Sequence, residues 1–288
     1  MIRLSGALVA SFLCIAPAFA QDQSAPESAE VAEAASEGAA RLTLGVGAAY
    51  FPDYEGSSHN RWTPIPVANG TVAGMSFTLV GNRAQLDVIP NGTGPGWDIQ
   101  LGPVAVYNMN RSNRDAIHDP RVRALGEVDS ALEVGGYFGI GRTGLITSDF
   151  DKLSVTISYR KDVTKVHRAG VWNPVITYST PLSTKAMISL SASAEIVEDR
   201  YARTYFGVTP AQSVASGLPI FRPEGGQKDI TFGGYVAYAL TGNLTKGLSL
   251  VAGGTYRKLV NDFADSPLVS IAGDRNQWTG AAGLALTF

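Results

Sequence analysis

The stretch "NQWTGAAGLALTF", residues 276–288, alternates apolar and small residues up to a final aromatic. Counting back by twos from Phe288 gives Leu286, Leu284, Ala282, Gly280 and Trp278; the intervening set is Thr287, Ala285, Gly283, Ala281 and Thr279. Successive side chains of a strand point to opposite faces, so one face here is apolar with an aromatic at each end, and the other is small and mildly polar. Soluble domains commonly trail off in a few polar residues. An apolar face carried through to Phe288 calls for an apolar surround on that side.

The opening "MIRLSGALVASFLCIAPAFA" has an early Arg3, an apolar run from Leu4 and an Ala18–Phe19–Ala20 cleavage pattern. Residues 1–20 are expected to be a secretory signal peptide, cut before Gln21. The run is too short and wrongly flanked for a spanning helix, and no other stretch approaches the ~18 apolar residues one needs. Cys14, the only cysteine, lies inside it behind Leu13, where a lipobox needs a small residue. The mature chain is therefore expected to have neither disulfide nor thiol chemistry. Residues 21–40, "QDQSAPESAEVAEAASEGAA", carry the acids Asp22, Glu27, Glu30, Glu33 and Glu37 and no base. They read as a flexible acidic tail, a domain apart from residues 41–288.

From Arg41 onward the alternation recurs. "KLSVTISYR" sets Leu153, Val155, Ile157 and Tyr159 against Ser154, Thr156, Ser158 and Arg160; "AMISLSASAEI" sets Ile188, Leu190, Ala192, Ala194 and Ile196 against serines and Glu195. "DITFGGYVAYAL" and "GLSLVAGGTYRK" repeat the pattern. Many such segments run about ten residues, the length a tilted strand needs to cross a bilayer. Only 17% of residues are charged, low for a soluble surface. The formal charge is -2, and loss of Arg3 with the signal peptide makes it -3, so no nucleic-acid partner is expected. The fold class is an all-β, transmembrane, antiparallel up-and-down barrel of about twelve strands, closed by the C-terminal strand, with ten or fourteen as the alternatives because the pair at 74–89 is short.

The connections support this independently. Long ones at 52–61, 109–129, 199–228 and 260–276 alternate with short ones at 73, 90–96, 181–185 and 242–246. Outer-membrane barrels have long extracellular loops and short periplasmic turns. An even strand count then puts both barrel termini, and the acidic tail, on the periplasmic side. Tyr107, Tyr159, Trp172, Tyr256 and Trp278 fall toward the long-loop ends, and Trp97 and Phe288 toward the short-turn ends. Those are two aromatic girdles at the lipid boundaries. The apolar face of 276–288 thus faces lipid, and Trp278, Leu284, Leu286 and Phe288 resemble the signal that barrel-assembly machinery reads.

"YFPDYEGS" (50–57), "LGPVAVYNMNR" (101–111), "LGEVDSALEVGGYFG" (125–139) and "RYARTYFGVTPAQSVASGLPIF" (200–221) resemble, in order, segments of the MipA/OmpV family of Gram-negative outer membranes. The resemblance spans the chain from about residue 41. It implies a barrel in the outer membrane, in contact with lipid and lipopolysaccharide. It also implies a non-enzymatic scaffold for murein enzymes, a lytic transglycosylase and a penicillin-binding protein, or a part in envelope integrity. A narrow channel for small polar solutes is the alternative.

Little points to catalysis. The histidines are His59, His118 and His167, all in expected extracellular loops. "SSH" at 57–59 and "DAIHD" at 115–119 offer hydrolytic or metal-binding side chains in Ser57, His59, Asp115, His118 and Asp119. No G-x-S-x-G, no H-E-x-x-H and no paired-histidine spacing accompanies them, so no catalytic residue, metal or cofactor is assigned. The lumen carries more information. Glu133, Arg160, Glu195 and Arg257 are expected to point inward near the extracellular end, and Asp87 and Asp98 inward nearer the other end. Ionisable groups at membrane depth normally face a polar interior and find partners. Such a cluster is either a salt-bridged plug or a selective constriction. In the long connection, Tyr201, Tyr205, Phe206 and Phe221 are too many aromatics for a solvated loop; they form either a cap or a recognition surface.

Overall fold

A computed structural model describes residues 42–72, 74–90 and 95–288. The expected signal peptide and acidic tail, and residues 91–94, lie outside them. Twelve antiparallel strands close into a barrel: β1 (Leu42–Pro52), β2 (Asn60–Val72), β3 (Met75–Val80), β4 (Arg83–Asp87), β5 (Gly96–Asn108), β6 (Ala131–Thr143), β7 (Lys152–Asp162), β8 (Gly170–Pro181), β9 (Ala186–Val197), β10 (Gly226–Ala239), β11 (Gly247–Leu259) and β12 (Asn276–Thr287). Each strand pairs with its chain neighbours, and β12 closes on β1 in the register Thr43↔Thr287 to Tyr50↔Gly280. Closure pairs every edge, which a bilayer demands because lipid offers no hydrogen bonds to a free one.

The alternation sorts as the sequence suggests. In β12 the set Trp278, Leu284, Leu286 and Phe288 faces out and exposed, while Gln277 and Thr287 are buried inward. Tyr159 packs at a tilt against Trp172, 4.7 Å between centroids, and Tyr256 does the same against Trp278 at 4.7 Å, near the long-loop end. Trp97, with Arg142 5.3 Å over its ring, marks the other boundary. β3 and β4 are the shortest strands, and β4 meets β5 only over Arg83–Gln85.

Two connections depart from the expected alternation. The Gly81–Asn82 turn between β3 and β4 is tight although it sits at the long-loop end. The β6–β7 connection, 144–151, is a built turn at the short-turn end. There the Asp151 carboxylate accepts from the amides of Leu145, Ile146 and Thr147 at 2.7, 2.9 and 2.6 Å, and from the Tyr178 hydroxyl at 3.0 Å. Burial alone pushes this carboxyl up, but the donors outweigh burial and hold it well below the usual carboxylate range.

The apolar core sits at the barrel mouth, where the long loops fold into short helices: α1 (Pro120–Ala124), α2 (Asp199–Phe206), α3 (Pro210–Ser216), α4 (Asn261–Asp265) and α5 (Pro267–Ser270). Local sequence explains α3. Thr209 and Gln212 form a reciprocal capping box, Pro210 occupies the first turn, and Gly217 ends the helix at φ 73°. Tyr201, Tyr205 and Phe206 of α2 pack with Phe263, Val269 and Leu259, with Phe206 edge-on to Phe263 at 5.1 Å. A second cluster joins Tyr54, Ile117, Leu125, Leu218 and Leu268, with Phe221 against it. The Tyr54 hydroxyl donates to the carbonyls of Leu268 and Ala272, both at 3.1 Å, pinning the first loop to the last. Arg111, whose pKa burial pushes down to about 10, donates to the carbonyls of Tyr205 (3.3 Å) and Gly126 (3.1 Å).

Candidate functional site

Beneath this cap lies a layer of buried charge. Arg160 of β7 donates through Nε to Glu133 Oε2 at 2.5 Å and through Nη2 to Glu195 of β9. Lys228 of β10 lies 2.5 Å from Glu195 Oε2 and 2.5 Å from Glu55 Oε1. Glu55 comes from the β1–β2 loop and also accepts from Arg257 Nη1 (3.2 Å), the Tyr201 hydroxyl (3.1 Å) and Asn110 Nδ2 (3.2 Å). Arg257 Nε stands 3.6 Å from Asp229. The layer thus runs from β6 through β7, β9, β10 and β11 to the first loop, across the mouth.

His167 joins the layer. Its Nδ1 accepts from the Ala169 amide at 3.2 Å, which leaves Nε2 to carry the proton and donate to Glu133 Oε1 at 3.2 Å. Asn108 donates to the same oxygen at 2.9 Å. The carboxylate oxygens of Glu55, Glu195 and Asp229 converge as metal ligands could. Lys228 Nζ and the Arg257 guanidinium already supply positive charge there, so the arrangement is an ion-pair lattice that needs no metal. Removing one partner of such a pair is costly, because the other is left charged and dry.

All four lumen residues expected from sequence, Glu133, Arg160, Glu195 and Arg257, lie in this layer, with Arg160 bonded to Glu133 and Glu195 and Arg257 to Glu55. Glu55, Lys228, Asp229 and His167 were not legible. A bulge between Gln227 and Asp229 turns both Lys228 and Asp229 inward, breaking the alternation by which inward residues are read. Asp98 and Asp87 also face in: Asp98 pairs with Lys152 at 2.7 Å, and Asp87 accepts from the amides of Ile89 and Leu101. Tyr201, Tyr205 and Phe206 are buried in the cap and offer no free surface, and Phe221 is half-buried beside it.

A lumenal cavity of 220 Å³ runs along β9–β12, β1 and β2, walled by small residues such as Gly45, Gly47, Gly253 and Gly283 and reaching Leu244 at the short-turn end. The hydrolytic groups imagined in the loops do not assemble. Ser57 is buried with Oγ accepting from the His59 amide, Asp115 sits exposed in a 3-10 turn, and Asp119 caps α1 and pairs with Arg121. His118 instead meets Asp53.

Residues 44–288 match the family described as MltA-interacting protein MipA. The chain belongs to the MipA family. With its closed barrel and apolar outer face, it is a barrel protein of the cell outer membrane. Among solved structures, OprD of Pseudomonas aeruginosa is similar at 10% identity and a TM-score of 0.38, covering 88% of this chain and 66% of its own. The CymD monoaromatic hydrocarbon channel is similar at 8% and 0.41, covering 88% and 90%. DcaP of Acinetobacter baumannii is similar at 8% and 0.38, covering 87% and 96%. No curated protein matches this chain. The MipA match, not these distant barrels, identifies it.

Proposed function

We propose that this MipA-family barrel is a non-conducting, non-enzymatic scaffold whose working surface is the periplasmic rim, where it holds a murein-cleaving transglycosylase and a murein-synthesising penicillin-binding protein. The family description supports the partner class. The observation that carries the reading is the double closure of the mouth, an ion-pair layer under a packed cap. A barrel shut to solutes has its surfaces left to work with. At the rim, the Asp151-built turn leaves Leu145, Ile146 and Phe150 exposed, and Leu182 is exposed in the next turn but one. The Thr147 hydroxyl bonds that of Thr180, and the Leu244 amide donates to the Thr184 carbonyl, so these turns hold each other. The acidic segment 21–40, which precedes Leu42 in the sequence, would draw a basic patch, with salt-sensitive strength.

The test is partner recovery from crosslinked cells by the wild type, by an Ile146→Ser/Phe150→Ser variant and by a chain lacking Asp22–Ala40, across a salt series. Recovery should fall for the rim variant at all salts and for the tail deletion mainly at low salt. Equal recovery by all three would overturn the scaffold reading. The channel reading draws on the lumenal cavity, and conductance decides it.

A further inference from the structure

The two exposed histidines of the outer loops come from connections 59 residues apart in number, His59 before β2 and His118 before α1, yet their rings lie nearly parallel, 11° between planes and 5.4 Å between centroids. Each ring is tethered through Nδ1. His118 Nδ1 lies 2.7 Å from Asp53 Oδ2, which also accepts from the His118 backbone amide at 3.1 Å. His59 Nδ1 lies 3.3 Å from Ser58 Oγ. Neither Nε2 makes a hydrogen bond among the described residues, and the His118 side chain is 60% exposed.

Asp53 is the buried member of the set. Its side chain is fully buried, its amide donates to the His59 carbonyl at 2.9 Å, and its Oδ1 has no hydrogen-bond partner among the described residues. A carboxylate so placed fixes the Nδ1–H tautomer of His118 and leaves a lone pair on Nε2 facing solvent. That carboxylate–imidazole pairing is what metal-bound histidines use to set ring orientation and basicity. Hydrolysis does not need it here, because Ser57 is turned away and Ser58 is on the other imidazole.

We infer that His59 and His118 form a two-imidazole site for a borderline divalent transition metal, Zn²⁺, Ni²⁺ or Cu²⁺, on the extracellular face, with Asp53 as the positioning residue behind His118. The ligands are neutral imidazoles, which favour these ions over Ca²⁺ or Mg²⁺. A single ion with Zn–N distances of about 2.0–2.1 Å requires the two Nε2 atoms to converge, which the exposure of both rings and their 5.4 Å separation leave room for by side-chain rotation. Water fills the other positions, so the site is open and exchangeable, not structural. It rests on the loop geometry alone and is independent of the scaffold reading.

The test is calorimetric titration of the purified, refolded, tag-free barrel with Zn²⁺, paired with Cu²⁺ electron paramagnetic resonance. One equivalent of Zn²⁺ should bind, and the Cu²⁺ spectrum should carry coupling to two imidazole nitrogens. His59→Gln and His118→Gln should each weaken Zn²⁺ at least tenfold and leave one coupled nitrogen. Asp53→Asn should weaken it about 10–100-fold while keeping both couplings, a split that mere loop damage would not give. Heat-modifiability on gels checks that each variant is folded. Absence of saturable Zn²⁺ binding, or binding unchanged in the His59→Gln/His118→Gln double variant, would overturn the proposal.

Discussion

Lys228 Nζ lies 2.5 Å from Glu55 Oε1, joining strand β10 to the β1–β2 loop across the barrel mouth. Glu55 is the one acid in this layer that comes from a loop. It accepts from Lys228, Arg257, Tyr201 and Asn110, so the cap and the ionic layer meet at one carboxylate. Glu55→Gln keeps the shape and removes the charge, leaving Lys228 to Glu195 and Asp229. Breaking a buried pair from one side costs about 3–5 kcal/mol. The variant should lose its heat-modified fold at a clearly lower temperature than the wild type, and an unchanged transition would show that Glu55 does not tie the mouth.

Gly135 of β6 faces inward where β7 crosses closely. A Cβ there would stand 1.8 Å from the Tyr159 carbonyl oxygen and 2.7 Å from Arg160 Cα, and backbone cannot step aside as a side chain can. Overpacking of this kind costs about 1–3 kcal/mol even where some relaxation occurs. Gly135→Ala should lower the yield of folded barrel and shift Arg160 off Glu133; normal yield and stability would contradict the close approach.

Asp151 gives a pH signature at the rim. Its folded carboxyl sits well below the usual range, so the unfolded turn binds a proton first as pH falls. The stabilisation is fully present above the ordinary Asp pKa of about 3.9 and is lost as pH drops through the lower folded value. Asp151→Asn should make the 144–151 turn open to proteolysis near neutral pH, where the wild type resists. Acid alone should open the wild-type turn only well below pH ~4. Equal cleavage of both proteins at neutral pH would contradict this.

How much of this was legible depends on where regular pairing holds. In β12 alternation alone assigns every side chain, because lipid on one side makes the two faces chemically distinct. The same logic places Glu133, Arg160, Glu195 and Arg257 in the lumen. It fails at Lys228, where the bulge beside Gln227 adds a residue and turns two neighbours the same way. Glu55 was within a quoted segment, but its role depends on partners up to 202 residues away, and no local pattern encodes that. The aromatics at 201–206 were visible as surplus. Their burial depends on Phe263 and Val269 of another loop.

Phe288 ties the end of β12 to β1 through its amide, which donates to the Leu42 carbonyl at 3.0 Å, with its ring outward. Phe288→Asp puts a charge on the lipid-facing set, at a cost that grows with depth toward the few kcal/mol seen at the bilayer midplane. Less folded barrel in the outer membrane and more periplasmic degradation should follow. Wild-type amounts would show that the outward end of β12 is not read during assembly.

Single-channel recording of the purified barrel in a planar bilayer tests the closed mouth most directly. The wild type should show no steady open step. Arg160→Ser/Arg257→Ser, which strips both guanidinium partners from Glu133, Glu195, Asp229 and Glu55, should open a cation-selective leak. A large, stable conductance from the wild-type protein would contradict the account.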